Sequence, residues 1–293
     1  MPVMQLGDAE LYYEEFGSGD EVIVSAQMHF DPDGYTRLLA ERNPGFRIYQ
    51  ITLRGYGNST HIYEDLGPRL LHIWADDVYR FSRKLGLERF IYSGVSHGAG
   101  VGWRLALDHP EALKAFISIV GAPHDRTGGD SSEARRRTQE GADDPKAFAE
   151  SLRERPLLYA VPTKDPRRLE RRRLAQERAI ARFASMKPEE LRLNQRKPFP
   201  EAKTNEELAA VLARVSVPTL LLCGVQDDII SAEMSLLAAR SVPGAKAVFY
   251  QDHSHTLPGE APERICMEIE LFVRELNEGW IYLENPMMRG QET

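Results

Sequence analysis

The sequence predicts an α/β fold, with a mainly parallel central sheet, helices on both faces and a helical cap inserted into it. Three observations carry this reading. Short β-branched runs alternate with amphipathic segments up to residue 123, and the alternation resumes at residue 216. Residues 124–215 between them are charged and helix-favouring, with no strand standing out. A length of 293 residues, 42% hydrophobic and 28% charged, suits one large core with one appendage. We therefore divide the chain into a core over 1–123 and 216–276, a cap over 124–215 and a tail over 277–293.

The amino-terminal 25 residues read as two short strands around "GD" followed by the strand "EVIVSA". "FRIYQITL" and "RFIYSGV" are further strands. Between them "LLHIWADDVYRFSRKLG" sets Trp74, Val78, Phe81 and Leu85 at helical spacing, with Gly86 as a stop. After Val95, "SHGAGVGWRLALDHP" reads as a helix ended by Pro110, and "LKAFISIVGAP" as a buried strand. Beyond the insertion, "VPTLLLCG" and "AKAVFYQD" are strands and "SAEMSLLAARSV" a helix. The helix "APERICMEIELFVREL" carries Ile265, Ile269, Phe272 and Leu276 on one stripe.

In the cap, Ala175, Ala179, Phe183 and Met186 form a modest apolar face. Its arginine-rich stretches are interleaved with acidic residues, which favours a solvated helix face over a nucleic-acid patch. In the tail, Trp280 and Tyr282 suggest packing on the body or on a second copy. The formal charge is -7 and the pI about 5.7, so no nucleic-acid or anionic-membrane partner is expected. No apolar run approaches the roughly 20 residues of a spanning helix, and the start lacks the pattern of a secretory leader. Two isolated cysteines, Cys223 and Cys266, form no disulfide framework or CxxC site, so a cytoplasmic protein is expected. Neither the tail nor the cap carries a dimerisation motif, and a monomer or homodimer is expected.

Gly94-Val95-Ser96-His97-Gly98 matches G-x-S-x-G at an expected strand-to-helix turn. A nucleophile on so tight a turn needs small neighbours two residues away on each side, which Gly94 and Gly98 supply. The following helix offers free N–H groups and a positive dipole end to a negatively charged oxygen forming there; the N–H of His97 is one of them. A dinucleotide-binding turn would need a different glycine spacing in the first strand–helix unit.

A serine hydroxyl also needs a base, and the base a carboxylate. "LLLCGVQDDII" and "FYQDHSHTLPGEAPE" place Asp227, Asp228, His253 and His255 at carboxyl ends of expected parallel strands, in the order serine, acid, histidine. The "DHSH" stretch also admits a metal-ligand reading, without a further ligand cluster to support it.

With these residues the chain resembles the α/β-hydrolase superfamily over residues 1–123 and 216–276, the insertion standing where that family carries its cap. The resemblance selects Asp227, three residues after Gly224, as the acid, with Asp228 and Asp125 as alternatives. It selects His255, five residues before the Glu260-Ala-Pro262-Glu263 run, as the base. The loop "RGYGNS" at 54–59 matches a further family motif. The third strand departs from it: "VSAQMHF" puts Gln27 where the family usually has glycine, and by position Met28 offers the second oxyanion N–H. Gln27 and His29 either face the substrate or satisfy buried backbone groups. The resemblance implies an esterase-like serine hydrolase with Ser96, Asp227 and His255 as a catalytic triad, acting without metal or other cofactor on a carboxylic ester or lactone of a small to medium organic molecule. Carbon–carbon bond hydrolysis of a ketone, a cofactor-free lyase and a ligand-binding protein on the same fold stay open.

Overall fold

A computed structural model describes residues 2–127, 133–154 and 160–283. In chain order, the first half is β1 (Val3–Gln5), β2 (Glu10–Gly17), β3 (Glu21–Gln27), α1 (Tyr35–Arg42), β4 (Phe46–Thr52), α2 (Arg69–Lys84), β5 (Phe90–Val95), α3 (His97–Asp108) and β6 (Leu113–Ile119). Between β6 and the next strand lie α4 (Glu133–Glu140), α5 (Pro145–Glu154), α6 (Pro166–Ser185), α7 (Pro188–Arg192) and α8 (Asn205–Leu212). The sheet then completes with β7 (Thr219–Gly224), α9 (Ala232–Ser241), β8 (Lys246–Tyr250), α10 (Leu257–Glu260) and α11 (Pro262–Asn277).

The eight strands follow the order β1-β2-β4-β3-β5-β6-β7-β8. β2 is antiparallel to both β1 and β4, and every other pairing is parallel. Because successive strand residues point to opposite faces, Ile23 and Val24 of β3, Phe116 and Ile117 of β6, and Leu220 and Leu221 of β7 divide between two apolar cores. One core is closed by α2, α3, α8 and α9 through Trp74, Phe81, Trp103, Leu208 and Met234. The other is closed by α1 and α11 through Leu39, Ile265, Ile269 and Phe272. The connections from the neighbouring strands β3 and β5 diverge toward opposite edges of the sheet, which opens a crevice at their carboxyl ends.

Two expectations are met only in part. Of the α6 arginines, Arg167 and Arg173 are solvated, 85% and 53% exposed, but others are not. Arg168 and Arg172, with side chains 12% and 13% exposed, share the buried carboxylate of Glu260 at 2.6 and 2.7 Å. Arg171 pairs with Glu263 and Arg178 with Asp33. Positions 168, 171 and 172 lie on one helix face by their spacing, and that face meets the acidic run after β8. Of the expected apolar face, Phe183 stands edge-on to Phe148 of α5 at 5.2 Å and Met186 packs against the core, and Ile180 is buried as well. The tail packs on the body through Ile281, whereas the side chains of Trp280 and Tyr282 that suggested this are 64% and 69% exposed. Residues 284–293 lie outside the described residues. Among the described residues no helix is long and apolar enough to cross a membrane.

Candidate active site

Ser96 stands between β5 and α3 with φ 51° and ψ −112°, a left-handed conformation that costs a non-glycine residue energy. Its backbone is held by Ser96 N–H to Ile119 O at 2.9 Å and by Gly100 N–H to Ser96 O at 3.2 Å. The glycines are required by contact. A Cβ on Gly94 would lie 2.4 Å from the Gly98 carbonyl, and one on Gly98 would lie 2.5 Å from both Ala26 O and Gln27 Nε2.

Asp227 follows β7 and His255 follows β8, so both arrive at the sheet edge where Ser96 emerges. His255 Nε2 is 2.9 Å from Ser96 Oγ, and His255 Nδ1 is 2.9 Å from Asp227 Oδ2. The other oxygen of Asp227, a buried residue, accepts the N–H groups of Ile229 and Ile230 at 2.8 and 2.9 Å. These two N–H groups point the carboxylate at the imidazole. With Oδ2 as acceptor, Nδ1 carries the proton and Nε2 is left to accept one from the serine.

The competing residues lie elsewhere. Asp228 is exposed. Asp125 accepts from Thr127 N–H at 2.6 Å and from Asn205 at 3.3 Å. His253 is bound through Nδ1 to Asp252 at 2.8 Å, so the two histidines of "DHSH" do not converge on one point. Among the described residues no group of three or more His, Cys, Asp or Glu side chains is arranged to hold a metal ion.

The third-strand end is where the geometry was least legible. Gln27 is buried and donates through Nε2 to Val95 O at 3.2 Å, so it satisfies the backbone next to the serine turn. Met28 N–H donates to Nε2 of the His97 imidazole at 3.0 Å. The His97 side chain, which no motif in the sequence singles out, thus sits on one of the two expected oxyanion donors. Burial, with Arg135, His255 and Arg182 nearby, pushes its pKa down to about 3. His29 is held well below 6.5 by burial, Arg182 and His97, and its Nδ1 has no hydrogen-bond partner.

Ser96 and His97 border two cavities, of about 210 and 220 Å³. The first opens toward the inserted helices and is lined by Arg135, Asn194, Gln195, Arg196, Lys197 and His124, among others. The second runs under His29, Phe30 and Tyr35 to Pro258. Burial and then Lys197 lower the pKa of His124 to about 4. The "RGYGNS" loop forms the floor beneath the insertion: Arg54 grips Asp77 through two bonds of 2.9 and 2.5 Å, and Gly57 N–H donates to Glu190 of α7 at 2.6 Å.

The α/β hydrolase fold family matches this chain over residues 32–262. The Azorhizobium caulinodans protein named "Putative carbamate hydrolase RutD" is 27% identical over 268 residues, covering 90% of this chain and 94% of its own length. Two solved structures share the fold. The enol-lactonase of Burkholderia xenovorans LB400 has a TM-score of 0.72 at 19% identity, covering 94% of this chain and all (100%) of its own. A thermophilic esterase of Thermogutta terrifontis has a TM-score of 0.70 at 23% identity, with 92% and 94% covered. The strand order, the serine turn and the match over most of the chain agree: this protein belongs to the α/β hydrolase fold family, and its relatives support a hydrolase activity.

Proposed function

We propose that this chain is a serine hydrolase that cleaves a carboxylic ester or lactone of a small to medium organic molecule through an acyl-enzyme on Ser96. The observation that carries this reading is the unbroken run of hydrogen bonds from Ser96 Oγ through His255 to Asp227, at 2.9 and 2.9 Å. In the proposed reaction His255 Nε2 takes the proton of Ser96 as Oγ attacks the carbonyl carbon. Asp227 stabilises the imidazolium and fixes its tautomer. The negative oxygen is received by the N–H of His97 at the start of α3, and by that of Met28 once the imidazole of His97 has turned aside. The leaving alkoxide takes the proton from His255. Water, deprotonated by the same imidazole, then releases the acid and restores Ser96. In this reading α4 to α7 act as the cap that limits substrate size.

The test is release of p-nitrophenol from short- and medium-chain acyl esters. Wild type should turn over, and Ser96→Ala and His255→Ala should each lose at least about a thousandfold in kcat/KM. Equal rates in all three proteins would remove Ser96 from the chemistry. A second reading, a cofactor-free lyase or a ligand-binding protein, draws support from the engagement of Met28 N–H by His97, which leaves fewer donors for an oxyanion. Covalent labelling of Ser96 by a serine-directed phosphonate favours acyl transfer; its absence, with or without turnover, favours the second reading.

A further inference from the structure

The cavity that opens from Ser96 toward the insertion is lined by three cationic side chains, Arg135, Arg196 and Lys197, and by no carboxylate among the described residues. The chain as a whole carries a formal charge of -7, so this wall runs against its surroundings. Arg135 reaches the Tyr56 hydroxyl at 3.4 Å, Arg196 pairs with exposed Asp65 at 2.7 Å, and Lys197 donates to the carbonyl oxygens of Asp125 and Thr127 at 2.7 and 2.8 Å. A fourth cation lies behind His97. Arg182 of α6 stacks beside Phe183 at 5.3 Å, its buried Nε has no hydrogen-bond partner, and it makes no ion pair among the described residues.

These charges reach the reacting groups. After burial, Arg135 and Arg182 are among the causes that keep His97 neutral, and Lys197 and Arg126 act likewise on His124. Asp31 is the carboxylate that acts on Arg182, and Asp227 the one that acts on His124. Arg196 faces Asp65 and Lys197 the Asp125 carboxylate outside the cavity, while inside it the three cations together present a positive field that attracts an anion. Gln195 and Asn194 add neutral polar groups to the same wall. A volume of about 210 Å³ is small for a binding site and suits a short chain.

We propose that this cavity receives a carboxylate carried by the substrate, so that the preferred ester is the half-ester of a short dicarboxylic acid, with its scissile carbonyl at Ser96 and its free carboxylate held by Arg135, Arg196 and Lys197. This rests on the reading of Ser96 as the nucleophile. A guanidinium matches a carboxylate with two parallel N–H bonds, which gives orientation as well as charge. The positive wall also concentrates anions at the mouth and speeds their capture at low salt.

The experiment compares monomethyl glutarate with dimethyl glutarate, which share one acyl chain and differ in charge. Wild type should show kcat/KM at least about tenfold higher for the monoanion, carried mainly in KM and shrinking as salt is raised. In Arg135→Gln and in Arg196→Gln that preference should collapse toward unity, and Arg135→Lys should keep part of it. Circular dichroism and melting curves check that each variant is folded. A wild type that favours the dimethyl ester, or a preference untouched in both folded glutamine variants, overturns the proposal. If neither ester is hydrolysed, turnover of p-nitrophenyl acetate decides the role given to Ser96, and calorimetric titration of wild type with glutarate decides the anion site separately. Binding that weakens at least about tenfold in Arg135→Gln supports it. No binding, or binding unchanged in the variant, overturns it.

Discussion

The main-chain N–H of Met28 donates to Nε2 of His97 at 3.0 Å, so the imidazole next to the candidate nucleophile covers a donor that acyl transfer would use. Displacing it breaks a part-buried hydrogen bond, a cost of about 1 kcal/mol. His97→Ala keeps both main-chain N–H groups and removes that obstacle. We expect kcat/KM for p-nitrophenyl acetate to rise about threefold to tenfold. A fall of a hundredfold or more would mean that the imidazole itself serves the reaction.

Asp227→Asn tests the orientation of His255. The carboxylate accepts two backbone N–H groups on one oxygen and Nδ1–H of His255 on the other. An amide cannot accept on both atoms, and turning its NH2 toward His255 selects the wrong tautomer. A loss in kcat of about 10⁴ is expected with the fold intact. A loss below tenfold would remove Asp227 from the mechanism.

Glu260→Gln removes the carboxylate shared by Arg168 and Arg172. Burial alone would raise the pKa of Glu260, but Arg172, Thr256 and Arg168 outweigh it and hold it below the usual carboxylate value. The variant leaves Arg172 without its carboxylate and Arg168 with only Asp252 at 3.3 Å, and about 3 kcal/mol of stability should go. The denaturant midpoint should fall with little change in slope, and kcat should fall with it. An unchanged midpoint would show that α6 is fastened by other contacts.

Acid should weaken the fold before carboxylates titrate. His97 and His124 are held down to about 3 and about 4, and His29 well below 6.5, in each case by burial first. In the unfolded chain each takes a proton near pH 6.5, whereas in the folded chain it does not. Their contribution is therefore whole above pH 6.5 and is lost as pH falls toward 4, at most about 1.4 kcal/mol per pH unit for each. The denaturant midpoint should drop between pH 7 and 4.5, and His124→Gln should flatten that drop. A midpoint that is flat over this range contradicts the buried, neutral state of these imidazoles.

Ser96 was legible because its setting is local. A strand, two glycines four residues apart and a helix are all read within ten residues, and the Cβ contacts at Gly94 and Gly98 give the reason. Asp227 and His255 were legible because each closes a strand of a parallel sheet, and such strands end at one edge. The partners of Gln27, His97 and Arg168 were not, since each is made by a residue 68, 69 or 92 positions away. Polar side chains of this kind declare only their need for a partner. In the tail the contact fell on a neighbour: Ile281 packs on the body, while the aromatic residues that suggested packing, Trp280 and Tyr282, are exposed.

Glu260 closes the one-turn helix α10 that begins two residues after His255, and it is also the post to which Arg168 and Arg172 of α6 are tied. Lifting α6 from the core would tug on the same short stretch that aims the imidazole. One carboxylate thus anchors the inserted helix α6 and stands five residues from His255, beside the end of the second cavity at Pro258.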